Sequence, residues 1–404
     1  MNHIVLGLGF GDEGKGSVTS YLCNRAINPL VIRFNGGHQA GHTVVTEDGT
    51  RHEFQSFGSG TLAGAPTFWS SYCTFFPIGF FREYKKLLAL GVTPKIYIDP
   101  LAPVTTVYDV LYNQALETKR KGINKHGSVG VGIGTTYARQ ETPYKLYFKD
   151  LFFGDQLLIH KFEAIRKYYD NKAKDEQIET YFESDFIKAE NLFYEAVNFI
   201  RGLNNLLCSE ENIFSDRFNF EKFIFEGAQG ILLDMDHGFF PYVTRSKTTS
   251  ANAIEMIKRN PKLKGYPVIK HYVTRAYATR HGAGPMLHEN VIDHLKENLV
   301  DKTNGYNVWQ ETLRRGCLSI EMLQYALFTD ALCFPLAHQK LYISCIDETN
   351  LFESGKIRVY DEKGTARDLF ISCLAFKLCI PSINCFTSDS PEGKFVPITQ
   401  EDIV

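Results

Sequence analysis

Two short segments near the N-terminus concentrate the residues that could do chemistry. The first is Gly9-Phe10-Gly11-Asp12-Glu13-Gly14-Lys15, which fits the G-x-x-x-x-G-K pattern of a phosphate-binding loop. Its glycines let backbone N–H groups converge on phosphate oxygens, a following helix adds partial positive charge, and Lys15 adds a full one. Gly16 stands where a Ser or Thr would hold magnesium, so a metal there needs another ligand, and Asp12 is the candidate. Two carboxylates, Asp12 and Glu13, oppose anion binding inside such a loop. That cost points to metal ligation or proton abstraction, with helix capping as the plainer alternative. A glycine-rich turn between strand and helix is the alternative for the loop as a whole.

The second segment, Asn35-Gly36-Gly37-His38-Gln39-Ala40-Gly41-His42-Thr43, sets two histidines four residues apart. On a helix the pair could hold zinc. Three glycines in nine residues oppose a helix, and no third ligand is near in sequence. The segment reads instead as a polar loop offering a histidine as acid or hydrogen-bond donor to a charged ligand. A purely structural histidine is the competing reading.

These loops need a scaffold. Ile4-Val5-Leu6-Gly7 reads as a buried strand running into the glycine loop, Ser17–Ala26 as a helix, and Val31–Phe34 as a second strand. This is a βαβ beginning. Further strands are expected at Lys95–Ile98, Lys222–Phe225, Pro267–Tyr272 and Lys340–Ile346, with a hairpin around Ile357–Tyr360. Phe80–Leu90 predicts an amphipathic helix closed by Gly91, and Leu157–Leu207 a helical excursion within the stretch 155–210. The expected fold is α/β, a P-loop-like mixed sheet flanked by helices with helical insertions, in a single large domain over residues 1–404.

Composition narrows the function classes. Forty-four basic and 46 acidic side chains leave a net charge of −2, which opposes a broad nucleic-acid surface. The nine cysteines include no CxxC pair, so a zinc ribbon or thioredoxin-type site is not expected, and their odd number suits a reducing compartment. Residues 1–7 lack the basic region and cleavage site of a secretory signal, and no stretch approaches the ~20 apolar residues of a membrane span. A soluble, cytoplasmic protein acting on small molecules, with neither nucleic acid nor membrane as partner, is expected.

Five blocks carry a family resemblance: GDEGKG at Gly11–Gly16, GGHQAGHT at Gly36–Thr43, GVGIGTTYA at Gly130–Ala138, FEGAQGILLDMDHGFFPYVT at Phe225–Thr244 and TRHGAGP at Thr279–Pro285. In order and content they resemble adenylosuccinate synthetase, covering roughly residues 1–50, 125–155 and 220–290 well. The resemblance implies a homodimeric, Mg2+-dependent ligase that spends GTP to join aspartate to IMP through a 6-phosphoryl intermediate. By position it makes Asp12 the base and a metal ligand, Gly41 a carbonyl ligand, His42 (not His38) the acid, and Lys15 a phosphate counter-charge. It assigns Gly11, Glu13, Gly14, Lys15, Gly16, Ser17, Gly41, His42 and Thr43 to the GTP phosphates, and Asp347 to the guanine N1 and N2 donors. Asp12, Gln39, Ser128, Gln229 and Thr244 would meet the purine nucleotide, and Arg314 and Arg315 the amino acid.

The sequence departs from that family at its selecting positions. Ser128 and Val129 replace paired threonines on the nucleotide phosphate, and Val129 cannot donate. Pro143 stands where the family sends an arginine across the dimer interface, leaving Arg139 or Arg245 as substitutes. Only Arg314 and Arg315 remain of an arginine-rich carboxylate clamp, in the stretch Val308–Gly316. Losing one charge-assisted contact costs ~1.5–3 kcal/mol. Cys345 replaces a lysine before Asp347, and Thr387-Ser388-Asp389-Ser390-Pro391 the family's guanine loop. The phosphoryl-transfer set, Asp12, Lys15, Gly41 and His42, is complete, so a working ligase is expected. A related ligase with another acceptor or amino acid is the alternative, and a non-catalytic nucleotide-binding protein a third reading. The family's phage branch, which aminates a guanine nucleotide, replaces the loop Asp that is retained here.

Overall fold

The computed structural model describes residues 1–120, 128–178, 183–297, 299, 312–361 and 363–388. Its centre is an eight-stranded sheet. In spatial order the strands are Ile383–Cys385, His338–Ser344, Val268–Arg275, Asn2–Gly7, Lys222–Gly230, Pro29–Arg33, Thr67–Trp69 and Ile96–Ile98. All seven pairings between these strands are parallel. The antiparallel pairings expected of a mixed sheet occur instead in small satellite sheets, including the hairpin of Lys356–Tyr360 with Ala366–Phe370.

Burial explains the strand composition. Asn2–Gly7 lies between two parallel neighbours and is buried along its whole length, so an unbroken apolar run suits it better than alternation. Ile4, Val5 and Leu6 fill the two faces. The strands at 222, 268 and 338 run further than, or are offset from, the apolar runs that signal them, because their ends carry polar residues such as Glu226, Arg275 and Ser344. Those ends all lie on the carboxyl edge of the sheet, the edge where open α/β sheets bind ligands. The glycine loop, the histidine loop and the segment holding Asp347 leave from the same edge, after Gly7, Arg33 and Ser344.

Helices cover the sheet. The first, Lys15–Asn24, starts two residues before the apolar pattern predicts, directly on the loop. Another, Pro77–Ala89, begins with Pro at its first turn and is followed by Gly91 at φ 76°. The helical excursion comprises Asp155–Asp175 and Glu183–Arg201. Phe162, Ile165, Phe193 and Ile200 bury into an apolar cluster that also contains Trp69 and Ile98 of the sheet. No helix among the described residues is long and apolar enough to cross a membrane.

Candidate active site

The glycine loop is a cage of backbone groups. Gly11, Asp12 and Gly14 have φ of 101°, 55° and 92°. Two of these are left to glycine, and aspartate is among the few other residues that enter this region readily. Gly14 caps the helix Lys15–Asn24 without any side-chain hydrogen bond. The capping role considered for Asp12 and Glu13 is therefore overturned, and the first N–H groups of the helix have no side-chain cap. Gly16 has a packing reason to be glycine: a Cβ there would lie 2.9 Å from the Thr43 carbonyl oxygen and 3.0 Å from His42 Cβ. The helix start and the histidine loop are thus pressed together, with half-buried Ser17 and Thr43 on either side of the contact.

The two loop carboxylates have opposite environments. Asp12 Oδ2 lies 2.8 Å from His281 Nε2, and the Asp12 carbonyl accepts from Arg275. Burial raises the Asp12 pKa, but His281, Arg275 and Lys15 outweigh it and hold the group below the usual carboxylate range. Glu13 turns inward, where Oε1 accepts from the Gly9 N–H at 2.6 Å and Oε2 is buried without a partner. Burial pushes its pKa to about 7 against the pull of Lys15. Lys15 is itself buried, and desolvation lowers its pKa while Glu13, Asp12 and Glu226 oppose the shift. Ser344 donates to the Glu13 carbonyl at 2.8 Å and Thr279 to the Gly11 carbonyl at 3.4 Å, so three neighbouring segments fasten the loop.

The histidines of the second loop part company. His38 Nε2 meets the Val131 carbonyl oxygen at 3.0 Å, its ring lies 4.8 Å from Phe76, and burial pushes its pKa down to about 4. His42 Nδ1 instead lies 2.7 Å from Glu226 Oε1, and its Nε2 is buried without a partner. Glu226 also accepts from the Ser59 N–H at 3.0 Å and from the Ser59 hydroxyl. Burial raises the Glu226 pKa, but His42, Arg33 and Ser59 bring it down to about 2, so it is a carboxylate. Gly41 packs against Glu53, whose Oε1 would lie 2.2 Å from a Cβ there.

A pair of amides lies beside the loops. The Oε1 atoms of Gln39 and Gln229 are both buried without partners, and the two side chains flank Gly36, each within 3.6 Å of a Cβ built there. Gln229 sits at φ 59° near the end of its strand, where the pairing with Asn2–Gly7 shifts register. Thr244 is half-buried and its N–H donates to the Leu233 carbonyl at 2.9 Å. Ser128 accepts from Asn113 at 3.0 Å. Arg139 cannot replace a phosphate-binding arginine: it is fully buried, pairs with both oxygens of Asp109 at 2.9 and 3.0 Å, and donates to the carbonyls of Val104 and Tyr144. Arg245 is exposed, with its stem 3.9 Å from the Cβ position of Gly134 at the start of helix Ile133–Gln140.

Farther along the edge, Asp347 accepts from the Ser388 N–H and hydroxyl, each at 2.7 Å. Cys345 precedes it at φ 55°. Arg314 is closed by Glu289 and by the carbonyls of Gly282 and Gly284 at 2.9 Å, whereas Arg315 keeps a buried, unpartnered Nε. The rest of the clamp, 308–311, and 389–391 lie outside the described residues. Sequence reasoning missed His281, Arg275 and Glu226 as site residues. His281 and Glu226 lie inside blocks already singled out, and a histidine among glycines and a carboxylate ending an apolar strand were the available signals.

Comparison with known proteins agrees with this geometry. The family model described as adenylosuccinate synthetase matches residues 4–372. An adenylosuccinate synthetase of Chromohalobacter salexigens is 32% identical over 339 residues, covering 81% of this chain and 74% of the relative. That of Borrelia recurrentis is 29% identical over 376 residues, covering 91% and 82%. Among solved structures, fully ligated adenylosuccinate synthetase from Plasmodium falciparum superposes with a TM-score of 0.76 at 19% identity, covering 97% of this chain and 98% of that one. The succinoaminodeoxyadenylate synthetase of cyanophage S-2L, bound to dGMP and to dATP as energy donor, gives 0.65 at 15% identity, covering 97% and 94%. Both structural likenesses concern the fold. With its family model matched almost from end to end and its glycine and histidine loops meeting on the carboxyl edge of one parallel sheet, the chain belongs to the adenylosuccinate synthetase family of ligases.

Proposed function

We propose that this protein is a GTP-dependent ligase that joins L-aspartate to IMP through a 6-phosphoryl intermediate, giving adenylosuccinate. The observation that carries the reading is the state of Asp12: a carboxylate kept ionised by His281 and Arg275, inside a backbone cage suited to phosphate, with Lys15 beside it. Such a group can remove the N1 proton of the hypoxanthine ring while O6 attacks the γ-phosphorus of GTP and the bond to the β-phosphate oxygen breaks. Lys15 and His42 then meet charge on the transferring group. The amine of aspartate adds at C6, and the O6 phosphate leaves with the C–O bond electrons. Gln39 and Gln229 bring unsatisfied amides to the purine. Asp347 would exchange Ser388 for the guanine donors.

The donor set fits Mg2+. An ionised Asp12 and the Gly41 carbonyl would supply its protein oxygens, and Mg2+ characteristically takes one or two of these with phosphates and water completing its shell. When bound, it neutralises phosphate charge.

A second reading, a ligase of the same fold with a different amino acid or acceptor, is favoured by Arg314. Its guanidinium is held by Glu289 and two carbonyls, which leaves Arg315 as the one of this pair with an unfilled donor. Incubation with Mg2+, GTP, IMP and aspartate, followed by phosphate release and product mass, separates the two. Adenylosuccinate supports the first reading. GTP-dependent phosphate release that appears only with another amino acid or nucleotide supports the second. A homodimer and a cytoplasmic location belong to the same proposal and are checked by light scattering and cell fractionation.

A further inference from the structure

We propose that Glu226, braced by Ser59, is the positioning residue that fixes the ring of His42 and decides which of its nitrogens serves the substrate. The inference rests on the reading above, in which His42 meets the transferring phosphoryl group, and adds to it the residues that set His42 up. His42 Nδ1 lies 2.7 Å from Glu226 Oε1. Glu226 is fully buried on the strand Lys222–Gly230, and its Cα pairs with Arg33 in one neighbouring strand and Val5 in the other. A carboxylate only accepts, so Nδ1 must carry the proton of this bond, and Nε2 is the nitrogen left for a ligand. That Nε2 is buried and unpartnered, on a residue packed against the first turn of the helix that follows the glycine loop. A ring turned over would set a C–H against Glu226 and lose the bond.

Ser59 makes the arrangement directional. Its N–H reaches Glu226 Oε2 at 3.0 Å, and its hydroxyl reaches Oε1, the same oxygen that meets His42. Ser59 itself is buried in a loop anchored by the Gly58 N–H on Thr67 Oγ1 at 2.8 Å. Suppose Glu226 becomes Gln. The Ser59 N–H is an obligate donor, so the amide oxygen must take the Oε2 place. The amide NH2 then faces His42 Nδ1 and donates to it. The ring proton is forced to Nε2, and the imidazolium that would donate from Nε2 to the transferring phosphoryl group loses the carboxylate that stabilises it. An isosteric change at the atom that faces the ring thus converts one tautomer to the other.

The test is Glu226→Gln alongside Ser59→Ala in the full chain, with two readouts. Long-range 15N–1H spectra of histidine-labelled protein, with His42→Asn to assign the signal, report the tautomer. Steady-state turnover with Mg2+, GTP, IMP and aspartate reports function, with thermal unfolding as a folding control. The expected results are an Nδ1-protonated His42 in the native protein and an Nε2-protonated ring in Glu226→Gln. In that variant kcat should fall about 100-fold with KM for GTP within about threefold. Ser59→Ala should keep the native tautomer and lose about 5–10-fold in kcat, because the carboxylate is less firmly held. Three results would overturn the inference: an unchanged ring signal in Glu226→Gln, a kcat within about threefold of native, or a loss confined to KM. If the native protein releases no phosphate at all, the functional reading falls instead, and the ring spectra alone decide whether Glu226 sets His42.

Discussion

Glu13 gives a prediction whose size follows from the structure. Its carboxyl is buried under the glycine loop with one oxygen on the Gly9 N–H and the other unpartnered, and its pKa rises from 4.5 to about 7. The folded chain therefore holds a proton between those values that the unfolded chain has released. Stability contributed by this group is fully present below pH 4.5 and is lost as pH rises toward 7, because ν_U − ν_N is negative in that window. At 1.36 kcal/mol per pKa unit, the accumulated loss is about 3 kcal/mol. Glu13→Gln keeps the shape of the protonated acid and carries no charge at any pH, so it should remove this dependence. Other groups titrate in the same range, and burial-lowered histidines such as His38 work in the opposite direction, so the informative quantity is the variant minus the native protein. For a chain of this length 3 kcal/mol corresponds to a melting shift of about 4 °C. Differential scanning calorimetry from pH 4.5 to 8 should show Glu13→Gln gaining about that much on the native protein as pH rises. Parallel curves would refute the raised pKa and the loop packing behind it.

Asp12→Asn should abolish turnover, by at least about a thousandfold, while the protein melts near its native temperature, since Asp12 is only partly buried; product assay and calorimetry check this, and normal activity would remove Asp12 as the base. Asp347→Ala should narrow the preference for GTP over ATP, because a carboxylate accepts from guanine donors that adenine lacks; competition between the two triphosphates measures it, and unchanged selectivity takes Asp347 out of the base site. Arg139→Met should cost about 3–5 kcal/mol by stranding the buried Asp109 carboxylate, with KM for the acceptor nucleotide unchanged. A selective rise in that KM without destabilisation would return Arg139 to the phosphate site.

How much of this was legible in the sequence depended on whether the signal was local. The glycine loop announces itself, because positive φ at Gly11 and Gly14 is a demand on the residues themselves. The strand beneath it was equally plain, since a strand buried on both faces must be apolar. The short strands Thr67–Trp69 and Ile383–Cys385 went unread. The excursion was recognised as helical but not divided into its two helices. What the sequence could not show was pairing over distance. Glu226 meets His42 across 184 positions, and Arg275 meets the Asp12 carbonyl across 263. Only the parallel register brings such residues to one edge. Arg139 shows the converse: its place beside a family block made it a plausible phosphate ligand, and only the fold reveals Asp109 opposite it.

The most direct test of the proposed reaction follows one oxygen atom. IMP labelled with 18O at position 6 is incubated with the protein, Mg2+, GTP and aspartate, and the released phosphate and the nucleotide product are weighed by mass spectrometry. Transfer of O6 to the γ-phosphoryl group predicts one 18O in each phosphate released and adenylosuccinate in equal amount. Unlabelled phosphate, or labelled IMP recovered unchanged while GTP is consumed, would contradict it.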